Sequence, residues 1–108
     1  MELSQYQHLA LRTKKYSEIY TVIYPALKLN GEAGEVAEKI GKTLRDDNGV
    51  FTIEKKLEIA KELGDVLWYI AALAHDIGYN LEEIAQINID KLASRDKREV
   101  ISGSGDNR

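Results

Sequence analysis

Apolar positions recur along this chain at the spacing of an α-helix. Leu3, Tyr6, Ala10 and Thr13 are separated by alternating steps of three and four, which predicts a first helical segment over about Leu3–Tyr20. Tyr24-Pro25 interrupts it, because a proline ring pushes the residue before it out of the helical region. Leu29, Ala33, Val36, Ile40 and Leu44 then form the apolar face of a second helix, from about Ala26 to Arg45. Asp46-Asp47-Asn48-Gly49 reads as a turn by composition. Thr52 is a candidate N-cap for a long third helix, roughly Ile53–Ile77, which Gly78 ends. Asn80 with Glu83 three residues on has the form of a capping box opening a fourth helix, Leu81 to about Lys97. The closing run Ser102-Gly103-Ser104-Gly105-Asp106-Asn107-Arg108 reads as an extended or mobile tail.

The third helix carries more apolar surface than ordinary packing needs. Its main stripe is Ala60, Leu63, Leu67, Ile70, Ala74 and Ile77, yet residues 66–74 are apolar around the whole circumference. A helix apolar all round is buried all round, and the other helices of so short a chain are too few to cover it. A second copy of the chain is the expected cover; a monomeric bundle with one deeply buried helix is the alternative.

Composition narrows the class. A length of 108 residues leaves room for one core, and 44% hydrophobic with 31% charged residues is a globular balance. No internal repeat is visible, so residues 1–108 read as a single domain, with 98–108 as a flexible or site-closing tail. The net charge of -3 gives no electrostatic case for a nucleic acid polymer. The absence of cysteine excludes a disulfide scaffold, a zinc–cysteine site, an iron–sulfur cluster and thiol catalysis. Met1-Glu2-Leu3-Ser4 does not open a secretory signal, and the apolar run at 66–74 is too short to span a bilayer. The expectation is a soluble cytoplasmic domain with no membrane association.

Candidate chemistry lies in two acidic pairs, Glu32 with Glu35 and Glu62 with Asp65. Helix positions three apart lie on one side of the axis, so each pair presents two carboxylates together. Spacing alone is weak, since Glu35/Glu38 and Asp96/Glu99 share it. Context strengthens it: Gly31 and Gly34 flank Glu32, and Gly64 sits inside the second pair. Each interior glycine costs ~1 kcal/mol relative to alanine, which points to close approach of backbone or ligand there. Carboxylates gathered beside an apolar region repel one another unless a cation compensates, and an all-oxygen set favours magnesium first and manganese second. His8 and His75 have no partner at ligand spacing and read as surface or packing residues. On the fourth helix Leu81, Ile84, Asn88, Lys91 and Arg95 form a stripe that turns from apolar to amide and cationic. It suits a polyphosphate carrying a metal, or, more plainly, a solvated basic helix end; Lys97, Arg98 and Arg108 fit the plainer reading. No phosphate loop, nucleophile elbow or E-x-x-H pair is present.

Gly-Glu-Ala-Gly-Glu-Val at 31–36, Glu-Leu-Gly-Asp-Val-Leu-Trp-Tyr at 62–69 and Asn-x-x-Lys-Leu-x-x-Arg at 88–95 resemble the MazG-like nucleoside triphosphate pyrophosphohydrolases. The likeness runs from Tyr24-Pro25 to the closing Gly-Ser-Gly-Asp-Asn-Arg. It implies an all-α, four-helix bundle of the kind shared with dimeric dUTPases and phosphoribosyl-ATP pyrophosphatases, assembled as a homodimer or homotetramer. It implies magnesium-dependent cleavage of a (deoxy)nucleoside triphosphate between its α- and β-phosphates, giving a monophosphate and pyrophosphate, in nucleotide-pool housecleaning. By position, Glu32, Glu35, Glu62 and Asp65 would be metal ligands, with Glu35 or Glu62 a candidate general base. Lys91 and Arg95 would hold phosphate oxygens, Asn88 would orient the nucleotide or a carboxylate, and Tyr69 would touch sugar or phosphate. Trp68 reads as a core or interface residue rather than a platform for a base. Asn30 departs from the pattern, standing where a small residue is expected before Gly31. The alternatives are a non-catalytic nucleotide-sensing or oligomerisation module, and a dedicated dUTPase or phosphoribosyl-nucleotide pyrophosphatase of the same superfamily.

Overall fold

In the computed structural model, which describes residues 1–98 and 101–107, the chain is all-α, with four α-helices and no strand among the described residues. The helices are α1 (Leu3–Ala10), α2 (Ile23–Asp46), α3 (Ile53–Asp76) and α4 (Leu81–Lys97). The long pair α2 and α3 packs antiparallel: Lys39 meets Glu58 at 3.9 Å, while Glu32 lies beside Glu62 and Asp65. The turn between them uses Asn48 at φ +53° and Gly49 at φ +75°. Glycine takes that conformation without steric cost, and the Gly49 N–H donates back to the Thr43 carbonyl at 3.1 Å.

The predicted caps are present. The Thr52 hydroxyl accepts from the Lys55 N–H at 3.1 Å. Asn80 and Glu83 exchange backbone-to-side-chain hydrogen bonds at 2.8 and 3.0 Å, and Gly78 turns the chain between α3 and α4 at φ +89°.

Two helix limits differ from the sequence expectation. The first helix stops at Ala10 instead of running to Tyr20; short 3-10 turns at Leu11–Thr13 and Glu18–Tyr20 follow. The cause is competition for one carbonyl. The Ala10 C=O accepts from the Thr13 hydroxyl at 2.8 Å and from the Trp68 indole N–H at 3.0 Å, so the Lys14 N–H bonds Leu11 instead. At the other limit, α2 begins at Ile23 and takes Pro25 into its first turn. The amides of a first turn have no intrahelical acceptor, so the missing proline N–H costs nothing there.

The closing tail is also not extended. Asp106 folds back onto α4, where Lys91 reaches its carboxylate at 3.1 Å and Arg95 at 3.3 Å. Glu99, named above in a spaced pair with Asp96, and Arg108 lie outside the described residues, as does Val100.

Two buried polar side chains fix α1 and the segment after it. Gln7 donates to the Ala71 and Tyr79 carbonyls at 3.0 and 3.2 Å and accepts from the Leu81 N–H at 3.1 Å. It thereby joins α1 to the end of α3 and the start of α4, beside the small core of Ala71, Ala74 and Leu81. Asp76, whose side chain is only 1% exposed, accepts from the Tyr16 hydroxyl at 2.8 Å, the Val22 N–H at 2.9 Å and Lys14 at 3.2 Å. Val22 stands at φ +72°, ψ -50°, an unfavourable conformation for a β-branched residue, and the Asp76 contact holds it.

One chain leaves much apolar surface open. Within 66–74 only Ala71, Ala72 and Ala74 are buried, the rest being half-buried. Leu27 and Leu44 on α2 are 70% and 62% exposed, and Leu57, Leu63 and Ile77 on α3 are also exposed. The stripes expected to pack inside the chain are therefore covered only in part.

Burial would raise the Asp76 carboxyl pKa, but the hydrogen bonds from Val22, Tyr16 and Lys14 outweigh it and hold the pKa below the usual value. A lowered folded pKa contributes stability above the ordinary carboxylate range of about pH 4, which is lost as pH falls through the folded value. Asp76→Ala should cost about 2–4 kcal/mol at neutral pH, with the gap to wild type narrowing in acid. Urea denaturation across pH checks this; a gap under about 1 kcal/mol would make Asp76 an ordinary surface ion-pair partner.

Candidate metal and nucleotide site

Pairing of α2 with α3 brings Glu32 against Glu62 and Asp65, one carboxylate oxygen of each lying within 4.8 Å of the others. Glu32 and Glu62 are half-buried and Asp65 is exposed. Among the described residues, none of these carboxylates pairs with a lysine or arginine. Like charges at this separation, with no cation of the protein between them, form a donor set suited to a hard divalent ion.

Glu35, one turn further along α2, lies outside this cluster. It shares with Glu62 a separate hollow of about 170 Å³ that also holds Glu38, Lys39 and Lys42. Glu62 thus belongs both to the acidic cluster and to this hollow. The glycines beside the acids are not explained by close packing within the chain, because a Cβ added at Gly31, Gly34 or Gly64 would meet nothing within 4 Å. Close approach by the chain's own backbone is therefore not their reason, and these glycines open onto free space.

On the other side of the cluster, Glu32 and Asp65 share a cavity of about 330 Å³ with Thr13, Trp68 and Tyr69. Burial, a hydrogen bond with Tyr24 and the nearby Glu32 and Asp65 push the Tyr69 phenol up. Tyr6 is shifted the same way, by burial and then by Asp65. Trp68 is fixed edge-on to Tyr69, ring centroids 4.9 Å apart, and its indole N–H donates to the Ala10 carbonyl and to the Thr13 hydroxyl at 2.9 Å. A second cavity, about 440 Å³, adjoins through Thr13, Trp68 and Tyr69 and is walled by Tyr16, Tyr20 and Tyr24. Sequence reasoning missed these walls. The signal was available: tyrosines at 16, 20 and 24 repeat every fourth residue.

Asn88, Lys91 and Arg95 line neither carboxylate cavity. Arg95 is 5% exposed and donates to the Gly105 and Asp106 carbonyls as well as to the Asp106 carboxylate, while its Nε has no partner among the described residues. Contact with Lys91 and Arg95 holds the Asp106 carboxyl below its usual pKa. His8 and His75 are both exposed and stand apart from the acids.

The MazG nucleotide pyrophosphohydrolase domain matches residues 24–100. The chain belongs to the MazG family. It is 51% identical over 85 residues to the Gene 37 protein of Mycobacterium phage L5, covering 79% of this chain and 75% of that protein. It is 36% identical over 69 residues to the uncharacterized protein YvdC of Bacillus subtilis (strain 168), covering 59% of this chain and 65% of that one. No solved structure matches. The carboxylate cluster and Tyr69 of this MazG domain lie inside the matched region, whereas Thr13, Tyr16 and Tyr20 precede it.

Proposed function

We propose that this MazG domain is a magnesium-dependent pyrophosphohydrolase acting in the cytoplasm on (deoxy)nucleoside triphosphates, in nucleotide-pool housecleaning. The observation that carries the reading is the convergence of Glu32, Glu62 and Asp65, with which no lysine or arginine among the described residues pairs, in a chain of this family. Those residues would hold magnesium, or manganese in its place. Glu35, beside Glu62 in the adjoining hollow, would complete the set or take a proton from the attacking water. A metal held by these residues would supply neutralisation of the triphosphate charge and a more acidic water. Water adds at the α-phosphorus, the bond to the α,β-bridging oxygen breaks, and pyrophosphate leaves with that oxygen. Tyr69, half-buried beside Glu32 and Asp65, would contact sugar or phosphate.

Lys91 and Arg95 would bind phosphate oxygens, with Asn88 orienting the nucleotide. Both cations already grip a carboxylate, that of Asp106, which supports their capacity for an anion. Since these residues line neither carboxylate cavity of their own chain, they would serve the site from a rearranged tail or from a neighbouring copy. The domain would work as a homodimer or homotetramer, supported by the exposed Leu27, Leu44, Leu57 and Leu63 of the two longest helices. Among the described residues no helix is long and apolar enough to cross a membrane.

Purified protein with magnesium should convert deoxynucleoside triphosphates to monophosphates and pyrophosphate. Product analysis finding orthophosphate and a nucleoside diphosphate would place cleavage at the β–γ bond and reject the reading. Turnover of no nucleotide would favour a sensing module, and turnover of dUTP or a phosphoribosyl nucleotide alone would favour a dedicated enzyme. In the same preparation, sedimentation should give a multiple of 12.2 kDa at micromolar protein; a monomer would remove the assembly.

A further inference from the structure

We propose that the Asp106 carboxylate is an internal competitor for the cationic site of α4, occupying Lys91 and Arg95 until a polyvalent phosphate displaces it. This rests on the reading above that Lys91 and Arg95 receive substrate phosphates. The two cations stand one turn apart on α4 and are bridged by a single oxygen. Lys91 Nζ and one Arg95 amino nitrogen both reach Asp106 Oδ1, at 3.1 and 3.3 Å. The same Arg95 nitrogen donates to the Asp106 carbonyl at 3.0 Å and to the Gly105 carbonyl at 3.4 Å. Only 6% of the Arg95 side chain is exposed, and its Nε meets no partner among the described residues. A guanidinium kept from water with an open donor is short of acceptors.

The tail fits these cations imperfectly. Three acceptors share one nitrogen that carries two hydrogens, while Nε of the same guanidinium goes unused. A well-matched arginine–carboxylate pair is bidentate, with bonds of about 2.7–2.9 Å. Here the carboxylate contacts are longer and run through one oxygen. The Asp106 side chain is 82% exposed, and every described residue over 101–107 is exposed. A segment that buries so little opens at low free-energy cost. Its return to α4 uses Gly105 at φ +83°, a conformation glycine takes without strain, so Gly-Ser-Gly-Asp at 103–106 presents a carboxylate on a pliable arm. Lys91 and Arg95 hold that carboxyl below its usual pKa, so it stays ionised at neutral pH. A phosphate offers three oxygens in a tetrahedral array and more charge than a carboxylate. It can meet Nε, the amino nitrogen and Lys91 together. A free monocarboxylate offers no more than Asp106 and lacks the tether that raises the effective concentration of Asp106. The arm therefore screens the site against small monoanions and yields to a polyphosphate.

Inorganic pyrophosphate, titrated by calorimetry with a chelator present, reads this site apart from the acids, because bare carboxylates repel an anion. Asp106→Asn should bind pyrophosphate roughly tenfold more tightly than wild type, since occupation by the tail lowers apparent affinity by the fraction left open. Asp106→Glu, which keeps the charge, should stay within about threefold of wild type. Glu82→Gln removes one charge from the exposed first turn of the same helix and should shift the affinity by less than about twofold. Unchanged affinity in Asp106→Asn would overturn the proposal. Weaker affinity would also overturn it and make Asp106 a positioning residue for the two cations. An equal gain in Glu82→Gln would reduce the effect to net charge, with the same consequence. A wild type that releases pyrophosphate from triphosphates, beside an Asp106→Asn that binds pyrophosphate no better, loses the competitor and keeps the hydrolase. A wild type that hydrolyses nothing, beside an Asp106→Asn with the tenfold gain, keeps the competitor and loses the hydrolase.

Discussion

The constraint on which the rest of this structure depends is the confinement of Glu32, Glu62 and Asp65 within 4.8 Å of one another. Unit charges so close repel by about 1 kcal/mol in bulk water and by several times that where solvent is partly excluded. No described lysine or arginine forms an ion pair with these acids, so the antiparallel packing of α2 on α3 holds them together against it. That packing draws on apolar contacts along two 24-residue helices, whose outer apolar residues still face open space. A cation between the acids and further apolar cover would relieve the two deficits of the isolated chain. The hydrolase reading and the oligomer reading therefore answer the same physical problem.

Polar side chains, more than the small core, decide where the flanking pieces go. Gln7 satisfies the Leu81 amide, which as the first of α4 has no intrahelical acceptor, and adds a donor to the Ala71 carbonyl of α3. Asp76 performs a similar task for Lys14, Tyr16 and Val22, and Trp68 ends α1 by taking its last carbonyl. These contacts set a wall of tyrosines beside the acids. The tail is held the same way, through Asp106 on Lys91 and Arg95.

Local patterns were readable wherever local chemistry governs. Thr52, Asn80 with Glu83, and Gly78 marked the limits of α3 and α4 because caps and turns are decided by neighbours in the chain. The early end of α1 was not readable, since it depends on Trp68, 58 residues away, bonding the Ala10 carbonyl. Pro25 misled for a related reason: proline is a breaker inside a helix but is tolerated in its first turn. For the site, spacing and flanking glycines singled out both pairs, Glu32 with Glu35 and Glu62 with Asp65, but not which of them meet across α2 and α3. The position of Glu35 depends on which side of α2 meets α3, which a single helix does not encode. The stripe of Asn88, Lys91 and Arg95 has the expected face, but the tail contact that occupies it lies 11 to 15 residues downstream and leaves no periodic trace.

The central claim is that the acidic cluster is a divalent cation site and not a structural feature. Thermal unfolding of wild type and Asp65→Asn, each with magnesium and with a chelator, tests it most directly. In chelator the variant should be no less stable than wild type, because one repelling charge has been removed. Magnesium should stabilise the wild type by binding linkage, about 2.7 kcal/mol at a hundred times Kd, and the variant by clearly less. A variant that melts well below wild type in chelator, with magnesium stabilising neither protein, would make Asp65 a structural residue and contradict the account.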